Sequence, residues 1–330
     1  MMSEQYRQCR LKDKVVNMSS MDFSIAPPLV PPPDFRSGFV LLAGRPNAGK
    51  SSLVNRLVGE KVVIVTPKPQ TTRNSVRCVL TTASMQAVLV DTPGVHEPHS
   101  PLNEAMMESL RDSMDGIDLV LYLLEVTSSG PAQEEVKLLS ELFRKKCPVI
   151  LLMAKADLSS SVDPSLRWNP ETDWAGPGKF TGIIDVSSKT GLGIPELLST
   201  IEKNLDLGPM YFPPDQLMDT NERFLVREIV REKIMLLTRN EIPHATGVQI
   251  LDMKDLEDGS SRIHAEIMVE TNSQKRIVIG HGGSLLKTIG IQSRKDIELV
   301  LGRTCHLNLW VKVAEKWRKK KKLLREIVFG

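Results

Sequence analysis

One eight-residue stretch restricts the fold of this chain more than any other part of it. Residues 44–51, GRPNAGKS, fit the pattern G-x-x-x-x-G-K-[ST] at every fixed position. An apolar run at 38–43 predicts a buried strand before the stretch, and residues 52–58 predict a helix after it. In that context the glycines let backbone N–H groups approach phosphate oxygens, and the helix N-terminus adds positive charge. We therefore predict a phosphate-binding loop; a chance glycine-rich turn is the alternative.

Two side chains of this loop have specific expected roles. Lys50 would reach the β- and γ-phosphates of a nucleoside triphosphate, and the Ser51 hydroxyl would hold Mg²⁺. The other contacts would come from backbone N–H groups that point inward. The predicted loop contacts are Gly44, Arg45, Pro46, Asn47, Ala48, Gly49, Lys50, Ser51 and Ser52.

A second apolar run, at 87–90, ends in an aspartate that can join the same site. Asp91 opens a D-x-x-G sequence 40 residues after Ser51, a spacing at which this short motif is informative. Asp91 would bind Mg²⁺ through water, and Gly94 would bring its N–H to the γ-phosphate. Many GTPases carry Gln next, to orient the attacking water, whereas Val95 cannot hydrogen-bond, so we expect slow hydrolysis. The predicted contacts here are Asp91, Thr92, Pro93, Gly94 and Val95.

Two further apolar runs end in residues suited to reading a nucleotide base. The run at 149–153 leads into A-K-A-D, where GTPases usually carry N-K-x-D. The run at 182–186 leads into S-S-K, which is similar to the S-A-K loop of GTPases. Asp157 can accept both N–H bonds that guanine offers, so we expect guanine to be preferred although Ala154 replaces the asparagine. The predicted base contacts are Ala154, Lys155, Ala156, Asp157, Ser187, Ser188 and Lys189. Strands that alternate with helices and end in ligand residues predict a doubly wound α/β sheet.

Between the first two motifs lies the segment 70–74, Q-T-T-R-N. A threonine here, Thr72 in our assignment, could coordinate Mg²⁺ and order the loop only when a γ-phosphate is bound. An ordinary polar turn after Pro67 and Pro69 is the alternative. The predicted catalytic residues are Lys50, Ser51, Thr72, Asp91 and Gly94, and the predicted metal ligands are Ser51, Thr72 and Asp91.

A motif of another kind lies near the carboxyl end. Residues 273–279 predict a strand with a basic entry, residues 280–283, GHGG, fit the G-x-x-G loop of KH domains, and residues 284–289 predict a helix. Such a loop clamps the backbone of single-stranded RNA beside an apolar groove that takes the bases. A tight strand–helix turn is the alternative. The predicted RNA contacts are Lys275, Arg276, Ile279, Gly280, His281, Gly282, Gly283 and Lys287.

Charge is distributed unevenly over the 330 residues, a length that can bury two cores. Residues 1–210 carry 22 Lys+Arg against 24 Asp+Glu, a net charge of −2, whereas residues 211–330 carry 21 against 16, a net charge of +5. The positive part contains the predicted RNA loop and a dense basic end at 316–325, which suit a polyanionic partner or an anionic membrane surface. A solvated helix face is the alternative interpretation of that end.

Composition shifts and prolines predict how the chain is divided. We expect a disordered N-terminal extension at 1–37, a nucleotide-binding domain at 38–207, a linker at 208–219, an RNA-binding domain at 220–318 and a basic tail at 319–330. Residues 221–239 predict an amphipathic helix. Its expected core face is Phe224, Ile229, Ile234, Leu236 and Leu237. No apolar run approaches the ~18 residues of a membrane span, and four scattered cysteines indicate free thiols in a reducing compartment.

Four stretches together resemble the Era family of GTPases: GRPNAGKSSLVN, QTTRN, DTPGVHEPH and IVIGHGGSLLKTIGIQSRKDIE. The resemblance covers roughly residues 38–318. It implies a doubly wound α/β P-loop GTPase domain followed by an α+β KH domain of type II. It also implies GTP or GDP and Mg²⁺ as ligands. K⁺ stays open as a further cation at Asn47, whose counterpart holds potassium in several related GTPases.

The same resemblance implies partners and a location. It implies binding of 16S-type ribosomal RNA near its 3′ end and assistance in maturation of the small (30S) ribosomal subunit, as a cytoplasmic monomer. Peripheral contact with the inner membrane surface and organelle targeting by residues 1–36 stay open.

Two other functions stay open from the residues themselves. A nucleotide-regulated RNA-binding scaffold with negligible hydrolysis would carry the same two motifs. An ATPase, or a degenerate nucleotide domain, would follow from Ala154. Turnover with and without RNA separates the scaffold from the enzyme, and nucleotide competition separates GTP from ATP specificity.

Overall fold

The computed structural model contains two β-sheets, one in each half of the chain. It describes residues 30–95, 100–145, 147–161, 163 and 168–328. The first sheet has six strands in the order β2-β3-β1-β4-β5-β6, and the second has three in the order β7-β8-β9. Most of the predicted extension, residues 1–29, lies outside the described residues.

The first half consists of strands that alternate with helices. The strands are β1 Arg36–Gly44, β2 Val76–Thr81, β3 Met85–Asp91, β4 Leu119–Glu125, β5 Val149–Ala154 and β6 Gly182–Val186. The helices are α1 Lys50–Val58, α2 Pro101–Asp112, α3 Gln133–Arg144 and α4 Ile194–Asn204. All neighbouring strands are parallel except β2 and β3. The predicted doubly wound sheet is therefore confirmed.

Burial explains why strands of the first sheet were visible in the sequence, where β1, β3, β5 and β6 were predicted and β2 and β4 were not. Helices cover both faces of a parallel sheet, so its strands are nearly continuous apolar runs. β3 and β5 are buried along their whole length. β1 begins at Arg36, two residues before the predicted run, and β3 extends to Asp91. The carboxyl ends of β1, β3, β5 and β6 meet at one edge of the sheet, where the predicted nucleotide residues follow them.

The second half is an α+β unit. Its strands are β7 Gly247–Asp255, β8 Ser261–Val269 and β9 Cys305–Val313, and its helices are α5 Glu222–Leu237, α6 Ile242–Ala245, α7 Asn272–Ile279 and α8 Ser284–Leu301. β7 and β8 are antiparallel, whereas β8 and β9 are parallel. Helices α5, α7 and α8 pack on one face of this sheet around a second apolar core.

The prediction of a strand at 273–279 is wrong, because this segment forms α7. Its β-branched residues Ile277, Val278 and Ile279 favour a strand locally. A capping box outweighs that preference: the Thr271 hydroxyl accepts from the Gln274 N–H, and the Gln274 side chain accepts from the Thr271 N–H. The G-x-x-G loop therefore joins two helices.

The helix predicted at 221–239 is present as α5, but its predicted core face was partly wrong. Ile229 and Ile234 are buried as expected, whereas Leu236 is 47% exposed. Val226 and Val230 are fully buried instead. The helix packs on the second sheet with one side and on the nucleotide domain with another, so a single-face pattern does not describe it.

The linker and the C-terminal segment tie the two halves together. Residues 217–219 run along the edge of β2, where Val79 N–H donates to Leu217 C=O at 2.9 Å and Asp219 N–H donates to Arg77 C=O at 3.0 Å. A 3₁₀ turn at Trp317–Lys319 and helix α9, Lys321–Val328, follow β9.

The predicted basic tail thus has an apolar side that its charge concealed. Leu324, Ile327 and Val328 of α9 pack with Trp317 and Met268, and with Leu102 and Met106 of α2, in one buried cluster. The C-terminal helix therefore joins the RNA-binding half to the nucleotide half. No helix of the described ranges is long and apolar enough to cross a membrane.

Candidate nucleotide and RNA sites

The phosphate loop occupies the turn between β1 and α1, as its sequence predicts. Gly44 has φ +143°, and a Cβ there would lie 2.3 Å from the Leu123 carbonyl oxygen, so only glycine fits. Val95 N–H donates to Gly44 C=O at 3.0 Å and ties the D-x-x-G segment to the loop. The two segments predicted to contact phosphate are therefore held side by side.

Lys50 lies inside this loop. Its ammonium group donates to the carbonyls of Gly44 and Arg45, both at 2.9 Å, and the residue is 5% exposed. Burial lowers the pKa of Lys50 to about 8, while Asp91 and Glu135 oppose the shift. A bound phosphate would favour the protonated amine, because opposite charges at short range stabilise the charged form.

Three oxygen atoms converge beside Lys50. The Ser51 hydroxyl donates to Asp91 Oδ2 at 2.6 Å and lies 2.9 Å from Thr72 Oγ1, which in turn lies 3.4 Å from Asp91 Oδ2. Asp91 is fully buried, and its Oδ1 has no hydrogen-bond partner among the described residues. Burial raises the pKa of Asp91, opposed by the Ser51 hydrogen bond and Lys50. Hard oxygen ligands around a buried carboxylate suit Mg²⁺, so the predicted metal ligands do lie together.

At the base-binding end, Asp157 is held in place by the S-S-K loop. The Ser187 hydroxyl donates to Asp157 Oδ1 at 2.6 Å, and this hydrogen bond lowers the pKa of Asp157. Lys155 pairs with Glu125 at 2.7 Å. Ala154 ends β5, is 3% exposed, and offers only its carbonyl, which accepts from Val126 N–H at 2.9 Å. Asp157 is thus oriented without the usual asparagine.

The Arg45 side chain is directed toward α3 and the loop before it, which the sequence did not indicate. Its guanidinium pairs with the buried Glu135 of α3 and donates to Gly130 C=O at 3.0 Å. Tyr122 donates to the same carboxylate at 2.8 Å, and burial raises the pKa of Tyr122 well above its ordinary value. The Arg45 side chain braces the loop, so its contact with a nucleotide would be through the backbone. Asn47 Nδ2 donates to Pro67 C=O at 3.2 Å and joins the loop to the 61–77 segment.

Thr72 is flanked by two arginine contacts that cross between the domains. Before it, Arg231 of α5 donates to the carbonyl of Gln70 at 3.4 Å and, through a shorter bond, to that of Thr71. After it, Arg73 donates to Thr246 C=O at 2.8 Å and to Pro243 C=O at 3.2 Å, next to and within α6. The sequence offered no signal for these contacts, because the partners lie about 160–173 residues apart.

These arginines are buried beside a carboxylate. Arg231 is 3% and Arg73 4% exposed, and burial lowers the pKa of Arg73 to about 9, with Arg231 adding to the effect. Burial acts to raise the pKa of Glu228, but Arg231, Arg227 and Arg73 together outweigh burial and lower it. Arg73 and Glu228 are therefore charged at neutral pH, and the segment around Thr72 is held by charge-assisted hydrogen bonds.

The G-x-x-G loop projects from the second domain. Gly280 has φ +75°, and a Cβ there would lie 2.9 Å from the Leu285 nitrogen. His281–Gly283 forms a 3₁₀ turn that leads into α8. His281 and Gly282 are exposed. Of the other predicted RNA contacts, Arg276 and Lys287 are exposed, and Lys275, Ile279, Gly280 and Gly283 are half-buried.

Comparison with known proteins agrees with both motifs. Residues 39–155 match the family model of the 50S ribosome-binding GTPase, and residues 241–318 match that of the KH domain. The GTPase Era of Lactobacillus helveticus is 43% identical over 295 residues, which are 89% of this chain and 96% of that protein. The GTPase Era of Clostridium botulinum is 42% identical over 295 residues, 89% of this chain and 98% of that protein.

Two solved structures share the whole arrangement. A crystal structure of Era in complex with MgGDPNP and nucleotides 1506–1542 of 16S ribosomal RNA is 35% identical, with a TM-score of 0.83, and covers 90% of this chain and 99% of that one. A variant of Aquifex aeolicus Era bound to GDP·AlF4⁻ is 33% identical, with a TM-score of 0.81, and covers 90% and 100% of the two chains. The predicted GTPase domain followed by a KH domain is confirmed, and the chain belongs to the Era family of GTPases.

Proposed function

We propose that this protein binds and hydrolyses GTP, binds small-subunit ribosomal RNA near its 3′ end, and so assists 30S maturation. The observation that carries the proposal is the convergence of Ser51, Thr72 and Asp91 at one point, in a chain that also presents an exposed G-x-x-G loop. An Era structure with bound MgGDPNP and a 16S fragment supports it.

For hydrolysis we assign each residue a role. Lys50 neutralises charge on the β- and γ-phosphates, and Gly94 N–H faces the γ-phosphate. Ser51, Thr72 and Asp91 would hold Mg²⁺, which supplies further charge neutralisation. Val95, 4% exposed, cannot orient water, so turnover is slow. The residues proposed to contact the nucleotide are 44–52, 91–95, 154–157 and 187–189, and the Asn47 amide oxygen is the proposed ligand of a K⁺ ion.

We further propose that the base is guanine. The Asp157 carboxylate, oriented by Ser187, accepts from two guanine N–H groups that adenine lacks. A hydrogen bond to a charged group contributes about 1.5–3 kcal/mol, which favours GTP over ATP even with Ala154 in place of asparagine. Competition between labelled GTP and unlabelled ATP tests this, and equal affinities would rule it out.

For RNA we assign the loop His281–Gly283, with Arg276 and Lys287 at its sides. A KH loop clamps four nucleotides. The 16S fragment in the Era complex is much longer than that, so contacts outside the loop are expected.

The proposed domains keep the sequence-based division, except that the first domain begins with β1 at Arg36 and residues 317–328 belong to the folded body.

The two sites are proposed to communicate through the segment around Thr72. Its order depends on γ-phosphate and Mg²⁺, and Arg231 and Arg73 attach it to the RNA-binding half. We therefore expect GTP to favour RNA binding and GDP to favour release, with a coupling of about 1–3 kcal/mol.

We place the protein in the cytoplasm as a monomer, where its RNA partner is. The apolar side of α9 is buried against α2, so peripheral membrane contact would use only its basic side unless the helix undocks.

Steady-state GTP turnover, measured with and without the 16S fragment 1506–1542, tests the proposal. We expect slow basal turnover and faster turnover with RNA. RNA binding without measurable turnover in either case would leave the scaffold function instead. A His281→Asp and Gly282→Asp double variant is the matched control, since it should lose the RNA effect while keeping basal turnover.

A further inference from the structure

The RNA-binding domain has a second surface, on the sheet face opposite its helices. Alternate residues of β9 point away from the helices, and Trp310 on that strand is 50% exposed. Its indole stacks on the His264 ring of β8, with ring centroids 5.4 Å apart and an interplanar angle of 12°. Helix α9 covers the far end of this face, at Gly247 and Met268, and leaves the stacked pair exposed.

A comparison within the domain shows that this exposure is not required for packing. Trp317 is 0% exposed, and its Nε1–H donates to Ala245 C=O at 3.0 Å. That is the environment in which a tryptophan stabilises a core. Trp310 instead exposes half of its surface to solvent, and its ring is already oriented by stacking on His264.

The charges around the stacked rings suit a polyanion. Two carboxylates beside the stacked rings are each paired with a lysine: Glu266 with Lys312 at 3.2 Å, and Asp252 with Lys254 at 3.6 Å. Arg262 is exposed on β8 and pairs in register with the exposed His306 of β9. The two lysines therefore neutralise the carboxylates nearest the stacked rings, and Arg262 adds a positive charge, while the carboxylate of Asp258, in the turn before β8, lies near His306.

The face also adjoins the predicted RNA groove beside the G-x-x-G loop. β9 is an edge strand of the sheet. Leu309 faces α8, because its Cδ1 atom lies 3.7 Å from the position that a Cβ on Gly290 would take. The next residue, Trp310, therefore faces the opposite side of the sheet. An RNA strand that leaves the groove between α8 and β9 needs to cross only this one strand to reach the indole.

We propose that Trp310, supported by His264, is a second RNA contact on which one base stacks after the strand has passed the β9 edge. The inference rests on the proposed RNA-binding function and extends it. Aromatic side chains on a sheet surface bind bases in this way, and such stacking tolerates any base because every base has a π-face. Arg262 and His306 supply the neighbouring phosphate contacts.

The test compares a long RNA with a short one. Labelled 16S fragment 1506–1542 and a series of truncations from either end are titrated by fluorescence anisotropy with the full-length protein, at constant salt. Trp310→Ala should weaken binding of the long fragment by roughly 5- to 150-fold, the usual contribution of one stacked base. The same variant should change the affinity for the shortest fragment that still binds the wild-type protein by less than about twofold. Trp310→Phe should retain most of the long-fragment affinity, because the aromatic face remains.

Controls separate this contact from a structural role. Leu299→Ala removes a more exposed apolar side chain, 76% exposed on α8 against 50% for Trp310, and should change neither affinity. Saturating RNA should quench tryptophan emission in the wild type by more than in Trp310→Phe.

Three outcomes would overturn the proposal. Unchanged affinity of Trp310→Ala for the long fragment would show that no base stacks on Trp310. Equal losses on long and short fragments would mean that Trp310 only supports the groove. Failure of the wild-type protein to bind any fragment would refute the RNA-binding function itself, and with it this contact.

Discussion

The contact between Arg231 and the Thr71 carbonyl offers the sharpest test of communication between the two domains. Replacing Arg231 with Met keeps a side chain of similar length but removes the charge-assisted bond to the residue before Thr72. The second contact, to Gln70 at 3.4 Å, is too long to add much. One hydrogen bond to a charged group contributes about 1.5–3 kcal/mol.

If that bond holds Thr72 at the metal, its loss should weaken binding of a non-hydrolysable GTP analogue by roughly 10- to 150-fold, since 1.4 kcal/mol is tenfold. GDP binding should change by less than about twofold, because the proposed role of Thr72 requires a γ-phosphate. Titration of fluorescent GDP and of the fluorescent analogue in Mg²⁺ buffer measures both. GTP turnover should fall in parallel with analogue affinity.

Two variants complete this experiment. Arg231→Lys keeps a positive charge beside Glu228 and should lose less than Arg231→Met. Arg77→Met removes a more exposed ion pair, the one with Asp219 at 3.4 Å, which also joins the nucleotide domain to the linker. This variant should have almost no effect on either affinity. Equal losses of GDP and analogue affinity in Arg231→Met would show a general loss of stability, and no loss at all would refute the positioning role.

Three more predictions concern the sites themselves. Lys50→Ala should abolish GTP turnover while Val95→Ala changes it little; a collapse in Val95→Ala with intact nucleotide binding would contradict the assigned mechanism. The pKa of Lys50 is about 8 before phosphate binds, so GTP binding above that pH should take up a proton and weaken by up to about tenfold per pH unit. Calorimetry in two buffers of different ionisation enthalpy measures the proton uptake. No uptake at pH ~9 would contradict the assignment. His281→Asp with Gly282→Asp should abolish RNA binding in an anisotropy titration and leave GTP affinity unchanged, since negative charge would face the RNA backbone.

The sequence by itself determined the parts of this protein that depend on neighbours along the chain. Apolar runs predicted four of the six strands of the first sheet, β1, β3, β5 and β6, because strands buried on both faces tolerate few polar residues. The turns that follow those strands predicted Lys50, Asp91 and Asp157 as ligand residues, because the carboxyl ends of parallel strands meet at one edge. The glycines of the two loops were informative for a similar reason, since their backbone conformations are local requirements.

Only the tertiary structure decided which distant groups meet. The Arg231 contact with Thr71 and the Glu135 contact with Arg45 join residues about 90–160 positions apart, and no local pattern encodes either partner. The apolar side of α9 was hidden among lysines until its partners on α2 were known. In each case the deciding free energy came from burial or hydrogen bonds between elements, which exist only after the chain has folded.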